Sequence, residues 1–443
     1  MNKQSIKKIT LLFGDLAILY FGLYLALITR NFNFPAPDLW LSHIQAFLFI
    51  FIVWIIVFYI NDFYDLKTSY NNFNLLSIIT KTTIINGVIA VLMFYFLTPL
   101  FPAIKPQRIL IFDLLWTLLL LFGWRKIFYN FIKSKQITNK ILIIGDSQLA
   151  QELLIELQKR NQLGYQAEII TNLPENLKQY CQQNNIDIII NSENINNDSE
   201  QASKMFECLS LGIDIYDINH FYEQITQKIP VEHIKMIWFL ENLSENSKKL
   251  YEIIKRALDI FWAILGLFLT LPLMPIIVLI IKLDSSGPII FKQIRVGKNG
   301  KEFLAMKLRS MTIDAEKNGA QWAVKNDPRI TRFGKFMRKT RLDEIPQLIN
   351  VLKGEMSLIG PRPERPEFVK TLSEEIPFYR ERLLIKPGLT GWAQLLGPAY
   401  GGSKEESLEK LKYDLYYIKN RSLLLDLSII LKTIRVVMGR RGQ

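Results

Sequence analysis

The sequence predicts a chain in three parts: a membrane α-helical N-terminal bundle, an α/β unit of Rossmann-like pattern, and an α+β C-terminal domain carrying a re-entrant membrane helix. Three observations carry this expectation. Four apolar runs crowd the first 130 residues, the texture changes at Lys140 to short strand and helix signals, and a further apolar run at 258–281 is broken by Pro272 and Pro275 between basic flanks. The expected boundaries are 1–135, 136–245 and 246–443. At 443 residues the chain is too long for one compact core. With 49% hydrophobic and 21% charged residues, it falls outside the disordered, collagen-like and disulfide-scaffold classes. Cys181 and Cys208 form no CxxC and have no histidine pair beside them, so neither zinc nor a disulfide framework is expected. A net charge of +13 admits nucleic acid, anionic lipid or phosphorylated substrates, and its distribution along the chain must decide.

The four spans are expected at 9–28, 44–60, 78–100 and 109–128, each near the ~20 residues that cross a hydrocarbon layer as a helix. The third reads as the weakest because Lys81, Thr82, Thr83 and Asn86 dilute its start. Basic residues gather before the first span (Lys3, Lys7, Lys8), in the second connection (Lys67, Lys81) and after the fourth (Arg125, Lys126, Lys133, Lys135), whereas the first connection has Arg30. By the positive-inside rule both ends of the bundle face the cytoplasm.

From Lys140, KILIIGD reads as a buried strand, SQLAQELLIELQKR as a helix, and YQAEIIT and IDIIIN as further strands. The first turn, Gly145-Asp146-Ser147-Gln148-Leu149-Ala150, keeps only the first glycine of a dinucleotide-binding turn. No carboxylate ends the second strand near Ile170-Thr171-Asn172, so a structural or regulatory role is expected rather than a cofactor site.

In the run at 258–281 each proline removes a helix donor and favours a kink. Lys255 and Arg256 precede the run, and Lys282, Lys292, Arg295 and Lys298 follow it, so both flanks carry cytoplasmic-type charge. A bent helix that enters and leaves one leaflet satisfies both features; a fifth, kinked span is the alternative. The segment from Tyr413 to Arg441 is amphipathic with a basic close and suits an interfacial helix.

The densest chemical signal runs from Asp327 to Leu348, where cations crowd around Asp343 and Glu344. Ile345, Leu348, Ile349 and Leu352 repeat at helical spacing, with Gly354 placed to stop the helix. Asp343 as N-cap would put Pro346 in the first turn and both carboxylates at a helix N-terminus beside Arg338, a place suited to phosphate. The plain alternative is an ordinary cap and first-turn acid. Gly360-Pro361-Arg362-Pro363-Glu364 then presents a guanidinium on a rigid turn, and Lys307-Leu308-Arg309 adds cations. Such a cluster suits phosphate, lipid headgroups or plain solvation. Carboxylates among guanidinium groups beside a membrane dip point to a phosphorylated lipid and a divalent metal, and hard Mg²⁺ prefers these oxygen ligands.

In order, KRALDIFWAILGLFLTLPLMP, GPIIFKQIRVGKNGKEFLAMKLRSM, DPRITRFGKFMRKTRLDEIPQLINVLKGEMSLIGPRPE and KPGLTGWAQ resemble the bacterial sugar transferase family, the monotopic polyprenyl-phosphate phosphoglycosyl transferases. The resemblance covers roughly 250–443. The four spans and the degenerate Rossmann-like unit resemble the large members, the exopolysaccharide polyprenyl glycosylphosphotransferases. The resemblance implies transfer of a sugar 1-phosphate, galactose or glucose being the sugars it suggests, from a UDP-sugar to undecaprenyl phosphate. UMP is released and an aspartyl phosphosugar is the covalent intermediate, at the initiating step of exopolysaccharide or other surface glycan synthesis. Asp343 matches the nucleophile and Glu344 its partner carboxylate, the two being the implied residues for Mg²⁺. Arg338 matches an arginine that contacts phosphate, Arg362 lies in the matching Pro-Arg-Pro turn, and Pro272 matches the proline that breaks the re-entrant helix. Leu271 stands where a serine is usual, so the bend is expected to lack one side-chain hydrogen bond. Leu308 replaces a common phenylalanine and Arg341 a common serine. The implied location is the bacterial inner membrane, with the catalytic domain on the cytoplasmic face and the lipid bilayer as partner; a homodimer suits the extra units.

Two rival readings are weighed. A membrane-anchored nucleotide-sugar dehydratase or epimerase needs an intact NAD turn and a Tyr-x-x-x-Lys pair; Tyr251 and Lys255 have that spacing but lie beside the re-entrant segment. A non-catalytic membrane scaffold for polysaccharide assembly is the alternative from another class. Nucleic-acid binding is not expected, because the basic residues cluster at membrane flanks and around the carboxylates. His43, His220 and His233 read as structural or surface residues. The loop at 397–402 is a candidate for shaping sugar choice or a simple connector.

Overall fold

A computed structural model describes residues 3–64, 72–97, 106–133, 139–160, 163–192, 199–243, 248–315, 327–398 and 403–438. The chain divides into two compact units, Met1–Ile218 and Asn219–Gln443.

The first unit opens with four largely apolar helices, α1 (Lys3–Asn31), α2 (Pro37–Ile60), α3 (Asn72–Leu97) and α4 (Pro106–Lys133). Among the described residues, Lys7–Asn31, Pro37–Ile60, Asn74–Tyr95 and Lys249–Asp284 are long and apolar enough to cross a membrane. The third expected span is therefore not the weakest. That place falls to α4, whose apolar run is interrupted by Asp113, Arg125 and Lys126. Two of these charges are handled inside the bundle: Arg125 pairs with the equally buried Asp15 and donates to the Phe63 carbonyl at 2.6 Å, while Asp113 faces Thr117. Such pairing is what makes an ionisable group tolerable away from water.

The rest of this unit is a parallel sheet ordered β2-β1-β3-β4. Its elements in chain order are β1 (Asn139–Ile144), α5 (Gln148–Lys159), β2 (Tyr165–Ile170), α6 (Leu177–Asn184), β3 (Ile188–Asn191), α7 (Ser199–Cys208) and β4 (Asp214–Asp217). β3 is buried along its whole length, as an apolar central strand should be. Cys181 and Cys208 are free and buried.

The second unit comprises α8 (Ile218–Thr226), α9 (Met236–Asn242), α10 (Lys249–Thr270), α11 (Met274–Asp284), β5 (Ile290–Val296), β6 (Glu302–Leu308), α12 (Arg332–Thr340), α13 (Gln347–Lys353), β7 (Ser357–Ile359), α14 (Pro366–Glu375), β8 (Gly388–Thr390), α15 (Trp392–Leu396), α16 (Lys404–Asn420) and α17 (Leu423–Met438). β5 and β6 form an antiparallel hairpin; β7 and β8 pair in parallel. The main core gathers Tyr379, Ile385, Trp392, Leu411, Leu415, Tyr417 and Ile418, with Trp238 and Phe239 of α9 packed against it.

α10 is polar inside and apolar outside. Lys255, Asp259 and Ala263, spaced four apart, form its buried stripe, while Leu250, Ile253, Phe261, Trp262 and Phe268 are exposed. Lys255 donates to Asp426 of α17 at 2.8 Å, and Asp259 accepts from the Leu358 N–H of β7 at 3.1 Å. Pro272 lies in a 3₁₀ turn, Leu271–Leu273, that joins α10 to α11 with the backbone right-handed throughout. Leu271 has no side-chain hydrogen bond to give, and a different bond lies beside the bend. The Thr270 hydroxyl, one residue earlier, donates to the Gly266 carbonyl at 2.8 Å. At the far end Arg309 donates to the carbonyls of Ile281, Ser285 and Pro288, so α11 is tied to the end of β6.

Candidate active site

Asp343 is not the helix N-cap that the spacing suggests. Leu342–Glu344 form a 3₁₀ turn, and Pro346 takes the cap position of α13 without a side-chain cap bond. Pro346 has no N–H to give the Leu342 carbonyl, so the chain proceeds by tighter bonds: Ile345 N–H to Leu342 at 3.3 Å, Leu348 N–H to Ile345 at 3.0 Å and Ile349 N–H to Pro346 at 3.1 Å. Gly354 ends α13 in the left-handed conformation, φ 83°, as its position in the sequence predicts. Before the turn, Arg341 also takes a left-handed conformation, φ 59°, at a place between helices where a non-glycine residue pays about 1 kcal/mol or more.

The two carboxylates are buried side by side but in different electrostatic states. Glu344 Oε1 accepts from Lys307 Nζ of β6 at 3.0 Å and from Arg362 Nη2 at 2.8 Å, with Arg341 at 3.7 Å. Burial alone would raise its pKa, yet Arg362, Lys307 and Arg341 outweigh that and hold Glu344 well below the usual carboxylate range. Asp343 goes the other way. Burial first and then the charge of Glu344 push its pKa up, against the pull of Lys307, Arg338 and Arg341. Its Oδ1 is buried with no hydrogen-bond partner. A buried, unsatisfied acceptor is costly.

The surrounding cations are positioned by separate elements. Arg338, on the last turn of α12, donates from Nε to Ser310 Oγ at 2.9 Å and acts on Asp343 through its charge. Arg362 is fixed through its own backbone: Arg382 Nη2 donates to the Arg362 carbonyl at 3.0 Å. Arg382 is in turn held by Asp414 at 2.8 Å and by the Tyr379 hydroxyl at 2.7 Å, all buried. Breaking a buried pair of this kind typically costs about 3–5 kcal/mol.

The turn that carries Arg362 is held by close backbone contact. Gly360 N–H donates to Thr390 and Gly388 N–H to Pro361, both at 2.9 Å. A Cβ on Gly388 would stand 2.0 Å from the Gly360 nitrogen, and one on Gly391 2.2 Å from the Gly360 oxygen. The glycines of KPGLTGW thus let β8 lie directly on the Pro-Arg-Pro turn.

Of the residues singled out from sequence, Asp343, Glu344, Arg338 and Arg362 come together. Pro272 is in the turn between α10 and α11. Arg309 is used at the end of α11, and Arg329 forms a fork with Asp327 at 2.8 and 2.6 Å. Lys307, Arg382, Asp414 and Tyr379 complete the arrangement without having been chosen; of these, Lys307 lay in a noted motif and Asp414 in the amphipathic tail. Residues 399–402 of the proposed sugar-choice loop lie outside the described residues.

The profile of the bacterial sugar transferase family matches residues 250–440. The chain is 43% identical over 237 residues to the UDP-N-acetylgalactosamine-undecaprenyl-phosphate N-acetylgalactosaminephosphotransferase of Aeromonas hydrophila, covering 53% of this chain and 55% of that one. It is 43% identical over 189 residues to the exopolysaccharide production protein PSS of Rhizobium leguminosarum bv. phaseoli, covering 41% of this chain and 94% of the relative. It is 42% identical over 196 residues to the UDP-glucose:undecaprenyl-phosphate glucose-1-phosphate transferase of Xanthomonas campestris pv. campestris, covering 43% of this chain and 40% of the relative. The match thus spans about half the length of the first of these relatives and less of the last.

Proposed function

The chain belongs to the bacterial sugar transferase family, and from that premise we propose that it transfers a sugar 1-phosphate from a UDP-sugar to undecaprenyl phosphate, releasing UMP, to initiate a surface glycan. The observation that carries the reading is the divided carboxylate pair: Glu344 is locked as an anion by Lys307 and Arg362, while Asp343 keeps an unpartnered oxygen and a raised proton affinity. Neighbouring carboxylates pushed apart in this way take different roles.

In the proposed reaction an Asp343 carboxylate oxygen attacks the sugar-linked β-phosphorus of the UDP-sugar. The bond from that phosphorus to the bridging oxygen breaks, and UMP leaves with the electron pair. An oxygen of undecaprenyl phosphate then attacks the same phosphorus, breaks its bond to Asp343, and restores the free carboxylate. Arg338 and Arg362 offset the phosphate charge that would otherwise repel Asp343. Among the described residues no group of three or more metal-ligating side chains is assembled. Mg²⁺ is nevertheless compatible, since it is commonly held by one or two carboxylates together with substrate phosphates and water. The bare Oδ1 of Asp343 fits such a demand, and Asp343 and Glu344 are the residues that would hold the ion, which when bound neutralises phosphate charge.

The kinked segment Lys249–Asp284 is read as re-entrant, with the catalytic unit at the cytoplasmic face of the inner membrane. Both halves of the segment pack on the same unit, which supports the reading: Ala263 against Phe303, Leu348 and Val351, and Ile277 and Ile281 against Leu308 and Met337. The Rossmann-like unit is read as structural or regulatory. Ser147 caps α5 by accepting from the Ala150 N–H at 3.2 Å and itself accepts from Ser192 at 2.9 Å, so the helix end where a pyrophosphate would sit already has side-chain partners.

The test is UMP release from UDP-N-acetylgalactosamine, UDP-galactose and UDP-glucose with undecaprenyl phosphate and Mg²⁺, comparing the intact protein with Asp343→Asn. The expected result is release with one preferred donor and a loss of about 10³-fold or more in the variant. A folded Asp343→Asn protein that releases UMP at the normal rate would sink the covalent route. Absence of release by the intact protein with every donor would favour a scaffold.

A further inference from the structure

A cavity with charged side chains on a largely apolar wall lies at the end of α13 opposite the carboxylate pair. It encloses about 380 Å³, with Glu252, Arg256, Asp259, Ser357, Lys386 and Arg421 on its wall. Asp343, Glu344, Arg338 and Arg362 do not line it. Arg256 reaches the last turn of α13, donating to the Val351 carbonyl at 2.6 Å and the Leu352 carbonyl at 2.8 Å. The carboxylate pair precedes the first turn of α13, so roughly 12 Å of helical rise separates the two places.

The charges in the cavity do not balance. Glu252 accepts from Arg421 at 3.0 Å, and Asp259 is engaged by the Leu358 N–H. Lys255 is taken by Asp426. Lys386 has no such partner among the described residues. Its ammonium and Arg256 Nη2 each stand 3.5 Å from the Cβ position of Gly354, so two cations converge on one point. Burial and then repulsion from Arg256 lower the Lys386 pKa, with Asp259 offsetting part. The cavity opens beside the apolar outer face of α10: Ile253 lines it and is itself exposed, flanked by exposed Leu250 and Leu258.

A cationic cavity beside an exposed apolar helix face matches the two ends of an anionic amphiphile. We propose that this cavity binds the phosphate-ester headgroup of an anionic membrane phospholipid, whose acyl chains lie along the outer face of α10 at Leu250, Ile253 and Leu258. The site is separate from the place of phosphoryl transfer and does not depend on which reaction occurs there.

The experiment measures binding of fluorescent phosphatidylglycerol and phosphatidylcholine to the full chain in neutral mixed micelles, for the natural sequence, Lys386→Gln and Lys386→Arg, with glycerol 3-phosphate as soluble competitor. The expected outcome is preference for phosphatidylglycerol, weakened about tenfold by Lys386→Gln and restored by Lys386→Arg, with glycerol 3-phosphate competing only at far higher concentration. Equal binding of the two lipids, or Lys386→Gln binding like the natural chain, overturns the proposal. Glycerol 3-phosphate binding as tightly as the lipid also overturns it, in favour of a soluble phosphate ester. The arginine variant separates loss of charge from loss of fold.

Discussion

Asp343 works against its own surroundings. A carboxylate whose pKa is raised is protonated at a higher pH than an ordinary aspartate, and only the deprotonated form is a nucleophile. The acid limb of UMP release should therefore lie above the usual aspartate value of 3.8, with activity falling as pH drops through it. Glu344 supplies the second-largest upward push, after burial. In Glu344→Gln that charge is gone, so the residual activity should show its acid limb at lower pH. A limb already at the ordinary value, or one that does not move in the variant, would contradict this account. The two groups are coupled, and the measured values belong to the pair. The carboxylates and Arg362 were legible because they sit in dense local motifs. Arg382 and Asp414 were not: they are 32 residues apart, and their use appears only when the fold brings them to the Arg362 carbonyl.

Among the elements, hydropathy resolved what was long and apolar. α1 to α3 and the buried strands β1 and β3 stood out by run length or continuous apolar character. β4, with the sequence DIYD, and the three-residue strands β7 and β8 carried no usable period, and pairing partners define them. Pro346 likewise changed the local outcome, converting an expected helix start into a 3₁₀ run that holds the carboxylates outside α13. The contact of β8 with the Pro-Arg-Pro turn gives a direct prediction. In Gly388→Ala the new methyl would overlap backbone at Gly360 and Thr390, neither of which is a side chain free to swing away. A loss of about 3 kcal/mol in stability is expected, with Arg362 displaced from Glu344 and UMP release reduced. Thermal unfolding and activity together check it; an unchanged melting temperature would show that the two backbones separate at little cost.

At the scale of the molecule, the first unit carries helices that mark a membrane protein, and the second carries a kinked apolar segment with polar anchors on its inner face. If that segment re-enters, its two ends lie on one side of the membrane. Lys249 and Ser286 flank it and are exposed, so Lys249→Cys and Ser286→Cys should both react with a membrane-impermeant maleimide added to inside-out vesicles and neither in right-side-out vesicles. Cys181 and Cys208 are buried and provide a low background. Labelling of the two positions from opposite sides would establish a full span. The parallel pairing of Ser357 with Gly388 also bears on how the protein comes into being. A parallel pair cannot close as a tight hairpin; it waits for the intervening chain, including α14, to be made and to cross back. The apolar segment at Lys249–Asp284 leaves the ribosome well before Gly388 does, so it meets the bilayer while the Arg362 turn is still unsupported. A nascent or truncated form lacking β8 has no strand to pair with Ser357 and Ile359 and no backbone partner for the Arg362 turn, and UMP release is expected to be absent from it.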